Sequence, residues 1–142
     1  MTSYQEITIF HLTQVKNMLA TIKIKDLKLR TFIGINPEEI ENKQDVTINI
    51  KFQYNALTAT SSDNMNDAQN YRTLTKKVIH LVEEGKFYLL EKLAQDVLSI
   101  FSQEKNILFA EVEVDKPHAL RFAESVSISL AYNQSPLTQN QL

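Results

Sequence analysis

The chain has 142 residues, 43% of them hydrophobic, a net charge of −2 at pH 7 and no cysteine. That length fits one domain of ordinary size, and the near-neutral charge argues against a nucleic-acid partner, whose binding domains are usually clearly basic. Without cysteine, disulfides, thiolate nucleophiles and Cys-based zinc sites are excluded. No apolar run approaches the ~18–20 residues needed to span a bilayer, so no membrane partner is expected.

Residues 1–20 read as an N-terminal arm or a mis-started segment, with Met18 just ahead of the patterned region. The stretch Ile7 to Leu19 is too polar for a signal-peptide core, which leaves a cytoplasmic location as the default. The expected domain covers residues 21–132. Ile22, Ile24, Leu27, Leu29 and Phe32 predict a long first strand whose alternation slips near Lys25 and Asp26, the mark of a bulge. Val46, Ile48, Ile50, Phe52 and Tyr54 alternate strictly with polar residues and predict a second strand. The period then changes. Leu74, Val78, Leu81 and Val82 lie at helical spacing, with Gly85 as the stop signal. Leu90, Leu93, Ala94, Val97 and Phe101 share one face of a second helix. Alternation returns at Leu108, Ala110, Val112 and Val114, and again at Val126, Ile128, Leu130 and Tyr132. Residues 133–142, rich in Gln, Asn, Ser and Pro, read as a flexible tail.

The order β-β-α-α-β-β indicates an α+β fold: an antiparallel four-stranded sheet with both helices on one face. The opposite sheet face carries Thr, Ser, Asn and Glu, which suits the wet interior of a ring-shaped assembly. Sheet continuation between subunits would also cover the open edges.

Four segments could carry chemistry. In Ile33-Gly34-Ile35-Asn36-Pro37-Glu38-Glu39, the glycine permits positive φ or close approach of another group, and the carboxylates are either solvated or functional. In Asp67-Ala68-Gln69-Asn70-Tyr71-Arg72-Thr73, Asp and Asn suit a helix cap, and Tyr71 either packs or donates a proton. In Phe87-Tyr88-Leu89-Leu90-Glu91-Lys92-Leu93, Glu91 is either a partner of the helix dipole or a two-oxygen acceptor for a ligand with adjacent N–H groups. In Val114-Asp115-Lys116-Pro117-His118-Ala119-Leu120-Arg121, Lys116 is either a surface lysine or a general acid/base in a partly dry pocket.

Together these segments resemble the dihydroneopterin aldolase family. They are most similar to its sister group, the dihydroneopterin triphosphate epimerases. Leu29-Arg30-Thr31-Phe32-Ile33-Gly34-Ile35, Asn70-Tyr71-Arg72-Thr73, Leu89-Leu90-Glu91-Lys92-Leu93 and Asp115-Lys116-Pro117-His118-Ala119-Leu120-Arg121 carry the resemblance, which runs from about Ile22 to Tyr132. It implies a tunnelling-fold (T-fold) subunit whose copies close into a tetrameric β-barrel, often stacked as an octamer, with sites at subunit interfaces. It also implies a small-molecule pterin substrate and no cofactor or metal. By position, Lys116 matches the catalytic acid/base, Tyr71 the tyrosine supplied by a neighbouring subunit, and Glu39 the loop glutamate that touches substrate and helps hold a catalytic water. Glu91 matches the pterin anchor, helped by the backbone of Leu90.

One departure separates the chain from the aldolase pattern. Aldolases usually carry glycine after the Lys-Pro pair, and here His118 stands in that place, as in the epimerase form. That favours a phosphorylated substrate, with His118 and Arg121 as candidates to grip it. The resemblance thus implies epimerisation at C2′ of 7,8-dihydroneopterin triphosphate, with 7,8-dihydroneopterin aldolase of folate biosynthesis as the alternative. A non-catalytic pterin-binding ring would not need Glu91, Lys116 and Tyr71 together. A zinc-dependent relative would need clustered ligands, whereas His11, His80 and His118 are scattered.

Overall fold

The computed structural model describes residues 17–134. The elements run β1 (Leu19–Ile33), α1 (Pro37–Glu41), β2 (Gln44–Asn55), α2 (Leu57–Ser62), a single 3₁₀ turn (Met65–Asp67), α3 (Tyr71–Glu83), β3 (Lys86–Phe87), α4 (Leu90–Ser102), β4 (Ile107–Pro117) and β5 (Ser125–Asn133). The arm expected at 1–20 lies outside the described residues up to 16, while Leu19 and Ala20 already belong to β1. Most of the tail expected at 133–142 is likewise outside them.

The sheet has five strands in the order β3-β1-β2-β4-β5. The four long strands are antiparallel, and α3 and α4 supply the core that covers one face of them. The fifth strand, β3, corrects the four-strand expectation. It is two residues long and pairs in parallel with the end of β1, Phe32 opposite Lys86 and Ile33 opposite Phe87. Two residues are too few to produce a readable period. The short helices α1 and α2 were also not anticipated.

Alternation sets the core. Val46, Ile48, Ile50 and Phe52 are all at most 2% exposed, and Val112, Val114, Leu93, Val97 and Phe101 meet them from the other elements. Each large apolar side chain buried this fully contributes roughly 1.5–3 kcal/mol. The Phe52 and Phe101 rings sit 5.2 Å apart in a tilted pair. The expected bulge is present: the β1–β2 register shifts between Ile24 and Leu27, and Asp26 adopts φ 52°. Asn49 secures it, accepting from Asp26 N–H at 2.9 Å.

The edge of β1 from Leu19 to Thr31 faces no strand among the described residues, and the outer edge of β5 is equally unpaired. Among the described residues, no helix is long and apolar enough to cross a membrane.

Candidate active site

Lys116 is the one charged residue that the described fold buries. The cause lies in β4. Ala110, Val112, Val114 and Lys116 fall on the same, core-facing side of the strand, so alternation drives the lysine inward at the strand's end. The side chain runs under the turn that follows β1, and its ammonium meets Glu39.

Glu39 is positioned by α1. Asn36 is the N-cap, Pro37 the first helical residue, and Glu39 the third. Proline suits the first helical position because its missing N–H has no partner to lose there. From the third position Glu39 reaches back, and its Oε1 accepts from Asn36 N–H at 3.1 Å. Its other oxygen, Oε2, accepts from Lys116 Nζ in a short, charge-assisted contact. Gly34 lies directly beneath the carboxylate. Its φ is +131°, and a β-carbon there would overlap the Glu39 carboxyl group. Both uses of glycine anticipated for this turn, positive φ and close approach, are therefore present.

The hydrogen bond from Lys116 is the largest influence on Glu39 and holds its carboxyl below the ordinary value of 4.5. Partial burial opposes this, while the Asn36 N–H, the Lys116 charge and Gln44 reinforce it. Gln44 also donates to Ile33 O at 2.6 Å, tying the start of β2 to the end of β1 beside the pair.

Two cavities flank Glu39. One, about 580 Å³, is lined by Asn36, Glu39, Gln44 and His118 among others. The other, about 170 Å³, is lined by Phe32, Gly34, Glu39, Ile40, Lys86 and Tyr88, with Phe87 at its side. His118 begins the turn after β4 with φ 67°. This left-handed conformation is unusual for any residue but glycine, which gives a physical reason for the glycine usual at this position in the aldolase pattern. Arg121 lies farther along the same loop. Its guanidinium sits 5.4 Å from the centre of the Phe122 ring, and among the described residues it forms no ion pair.

The structure thus brings Lys116, Glu39 and His118 to one place. Glu91 is the second residue of α4 and is exposed, and Leu90 before it packs on the core. Tyr71 opens α3, where Asn70 caps the helix by accepting from Thr73 N–H at 3.1 Å. Tyr71 is 48% exposed in the single chain. Neither the Glu91 carboxylate nor the Tyr71 hydroxyl has a hydrogen-bond partner among the described residues, so both are free to serve a ligand. His80 lies on α3 and His11 outside the described residues; among the latter, no His or carboxylate cluster could hold a metal ion.

Two contributors were not singled out from the sequence: Gln44, and Asn36 as the cap that aims Glu39. The pattern Asn-Pro-Glu-Glu was a usable signal for the second, since it places a cap residue, a first-position proline and a third-position glutamate in order.

The family model for dihydroneopterin aldolase matches residues 22–131. The dihydroneopterin triphosphate 2′-epimerase of Pseudomonas aeruginosa is 56% identical over 113 residues, covering 80% of this chain and 92% of that protein. The protein of the same name from Escherichia coli K12 is 54% identical over 115 residues, covering 81% and 96%. Among solved structures, E. coli dihydroneopterin aldolase in complex with neopterin superposes with a TM-score of 0.76 at 24% identity, covering 80% of this chain and 99% of that one. That last likeness is one of fold.

Proposed function

The chain belongs to the dihydroneopterin aldolase family, and from that premise we propose that it inverts C2′ of 7,8-dihydroneopterin triphosphate to give 7,8-dihydromonapterin triphosphate. The identity of more than half to two named epimerases, over nearly their whole length, supports the epimerase reading over the aldolase one. The observation that carries the chemistry is the pairing of buried Lys116 with half-buried Glu39, whose carboxylate borders two cavities.

The reaction runs by retro-aldol and aldol steps. The 2′-hydroxyl loses its proton, the C1′–C2′ bond breaks, and C2′ becomes an aldehyde. The electron pair moves through C6 to N5 of the ring imine, which takes up a proton. The substrate supplies its own electron sink, so the protein has only to bind, orient and move protons. A side chain entering between Glu39 and Lys116 meets an acceptor on one side and a donor on the other, the arrangement general acid–base catalysis requires. Glu91, with two free carboxylate oxygens, anchors the amino and ring N–H groups of the pterin beside the backbone of Leu90. Tyr71 of a neighbouring copy and an ordered water complete the proton relay. The open edges of β1 and β5 support such an assembly, a tetrameric ring or an octamer of two rings. Rotation of the retained aldehyde before C1′–C2′ re-forms inverts C2′, and His118 and Arg121 hold its phosphates during that turn.

Escape of the aldehyde would instead make the protein an aldolase yielding 6-hydroxymethyl-7,8-dihydropterin. Phosphorylated and unphosphorylated dihydroneopterin, assayed side by side, separate the two. The monapterin isomer should dominate with the triphosphate. Faster turnover of the unphosphorylated compound to glycolaldehyde would overturn the epimerase assignment.

A further inference from the structure

We propose that Lys86 is a specificity-determining residue of this site that binds the anionic phosphate tail of the substrate; the inference rests on the phosphorylated-substrate reading above. A triphosphate brings several negative charges, and charge-assisted contacts to basic groups are the usual means of holding it. Two other lysines, Lys116 at the end of β4 and Lys43 in the link between α1 and β2, are differently engaged. Lys116 is neutralised by Glu39, and Lys43 donates to Glu83 O at 3.0 Å. Lys86 has no acceptor among the described residues. Its ammonium stands 5.3 Å from the centre of the Phe32 ring, and the side chain lines the same 170 Å³ cavity as Glu39 and Gly34.

Its placement is fixed by backbone. β3 exists only as the Lys86–Phe87 pairing with the end of β1. Gly34 N–H donates to Phe87 O at 3.0 Å, and Thr31 Oγ1 donates to Gly85 O at 3.3 Å. The two-residue strand therefore locks Lys86 to the turn that carries Glu39. The Phe32 ring supports the lysine stem and favours the cation over its face, while leaving all three ammonium hydrogens for a ligand. A cation held on a rigid element, beside the reacting pair but not neutralised by it, suits an anion that the chemistry must retain.

The test uses inorganic triphosphate as the probe, so that it does not depend on which reaction the protein performs. Binding is measured by calorimetry for the full-length protein and for Lys86→Gln and Lys86→Arg, with circular dichroism to confirm that each variant is folded. Expected are a loss of at least tenfold in triphosphate affinity for K86Q and substantial recovery in K86R. The ratio of kcat/KM for phosphorylated over unphosphorylated dihydroneopterin should fall in parallel in K86Q. Unchanged triphosphate binding in K86Q, or no measurable binding by the unmodified protein, would overturn the proposal. A protein that binds triphosphate through Lys86 yet turns over only the unphosphorylated pterin would instead overturn the epimerase assignment and leave the role of Lys86 standing.

Discussion

Replacing Gly34 with alanine perturbs the site through a single added carbon. The new β-carbon would overlap the Glu39 carboxyl group, and φ +131° is a conformation L-residues rarely adopt. Backbone strain of this kind costs about 1–3 kcal/mol. The clash can be relieved only by moving Glu39, which breaks its bonds to Lys116 Nζ and Asn36 N–H. Hydrogen bonds to charged groups contribute roughly 1.5–3 kcal/mol each, with the lower end fitting a carboxylate at the edge of a cleft. With both bonds at that lower end, a total loss of about 4–6 kcal/mol follows, together with a large drop in turnover because Lys116 loses its partner. Urea denaturation and steady-state kinetics on G34A measure both. The double variant G34A/E39A separates the causes. With the carboxylate gone the clash disappears, so the double variant should lose less stability than the sum of the two single ones, a positive coupling of about 1 kcal/mol or more of the kind contacting residues show. Strict additivity, or a G34A protein of normal stability and turnover, would refute the reasoning.

Other consequences follow from the same geometry. Lys116→Ala should lower kcat by about 10²–10⁴-fold while pterin binding, followed by fluorescence titration, stays measurable; near-normal turnover would remove Lys116 from its role. Because the folded state holds Glu39 below its ordinary 4.5, the ionised carboxylate stabilises the fold above that pH, and the contribution disappears as pH falls through the depressed value. The stability difference between the protein and Glu39→Gln should accordingly shrink below about pH 4.5, as read from denaturation midpoints across the acid range; a difference that grows on acidification would contradict the ion pair. His118→Gly removes a residue from left-handed backbone and should raise stability by up to about 1 kcal/mol, while weakening the preference for the phosphorylated substrate; unchanged selectivity would exclude His118 from the phosphate grip.

Much of the fold was legible in the sequence because one physical signal dominates it. Alternation such as Val46, Ile48, Ile50 and Phe52 admits one register when one sheet face is buried, and the slip at Lys25 and Asp26 could only be absorbed by a bulge. Asn70 before the periodic run of α3 and Gly85 after it marked that helix in the same way. What escaped was short or tertiary in origin. β3 is held by Phe32 and Ile33 rather than by its own pattern, and α1 depends on a cap and a proline that looked like turn residues. Lys116 was chosen by resemblance, yet its position in the series Ala110, Val112, Val114, Lys116 already placed an amine on the core face. Its pairing with Glu39 spans 77 positions of chain and has no local signature. Glu91 and Tyr71 lie on helices α4 and α3 with polar groups free, which is consistent with a pocket finished by another copy of the chain.

Deuterium labelling of the product bears most directly on the carbon–carbon cleavage proposed for this site. With the triphosphate substrate in D₂O, breaking and re-forming C1′–C2′ leaves the original hydrogen on C2′ throughout, because that carbon passes through an aldehyde. The monapterin triphosphate formed should therefore carry protium at C2′ by NMR and mass spectrometry. Deuterium at C2′ would mean inversion by direct deprotonation of that carbon and would contradict the retro-aldol route.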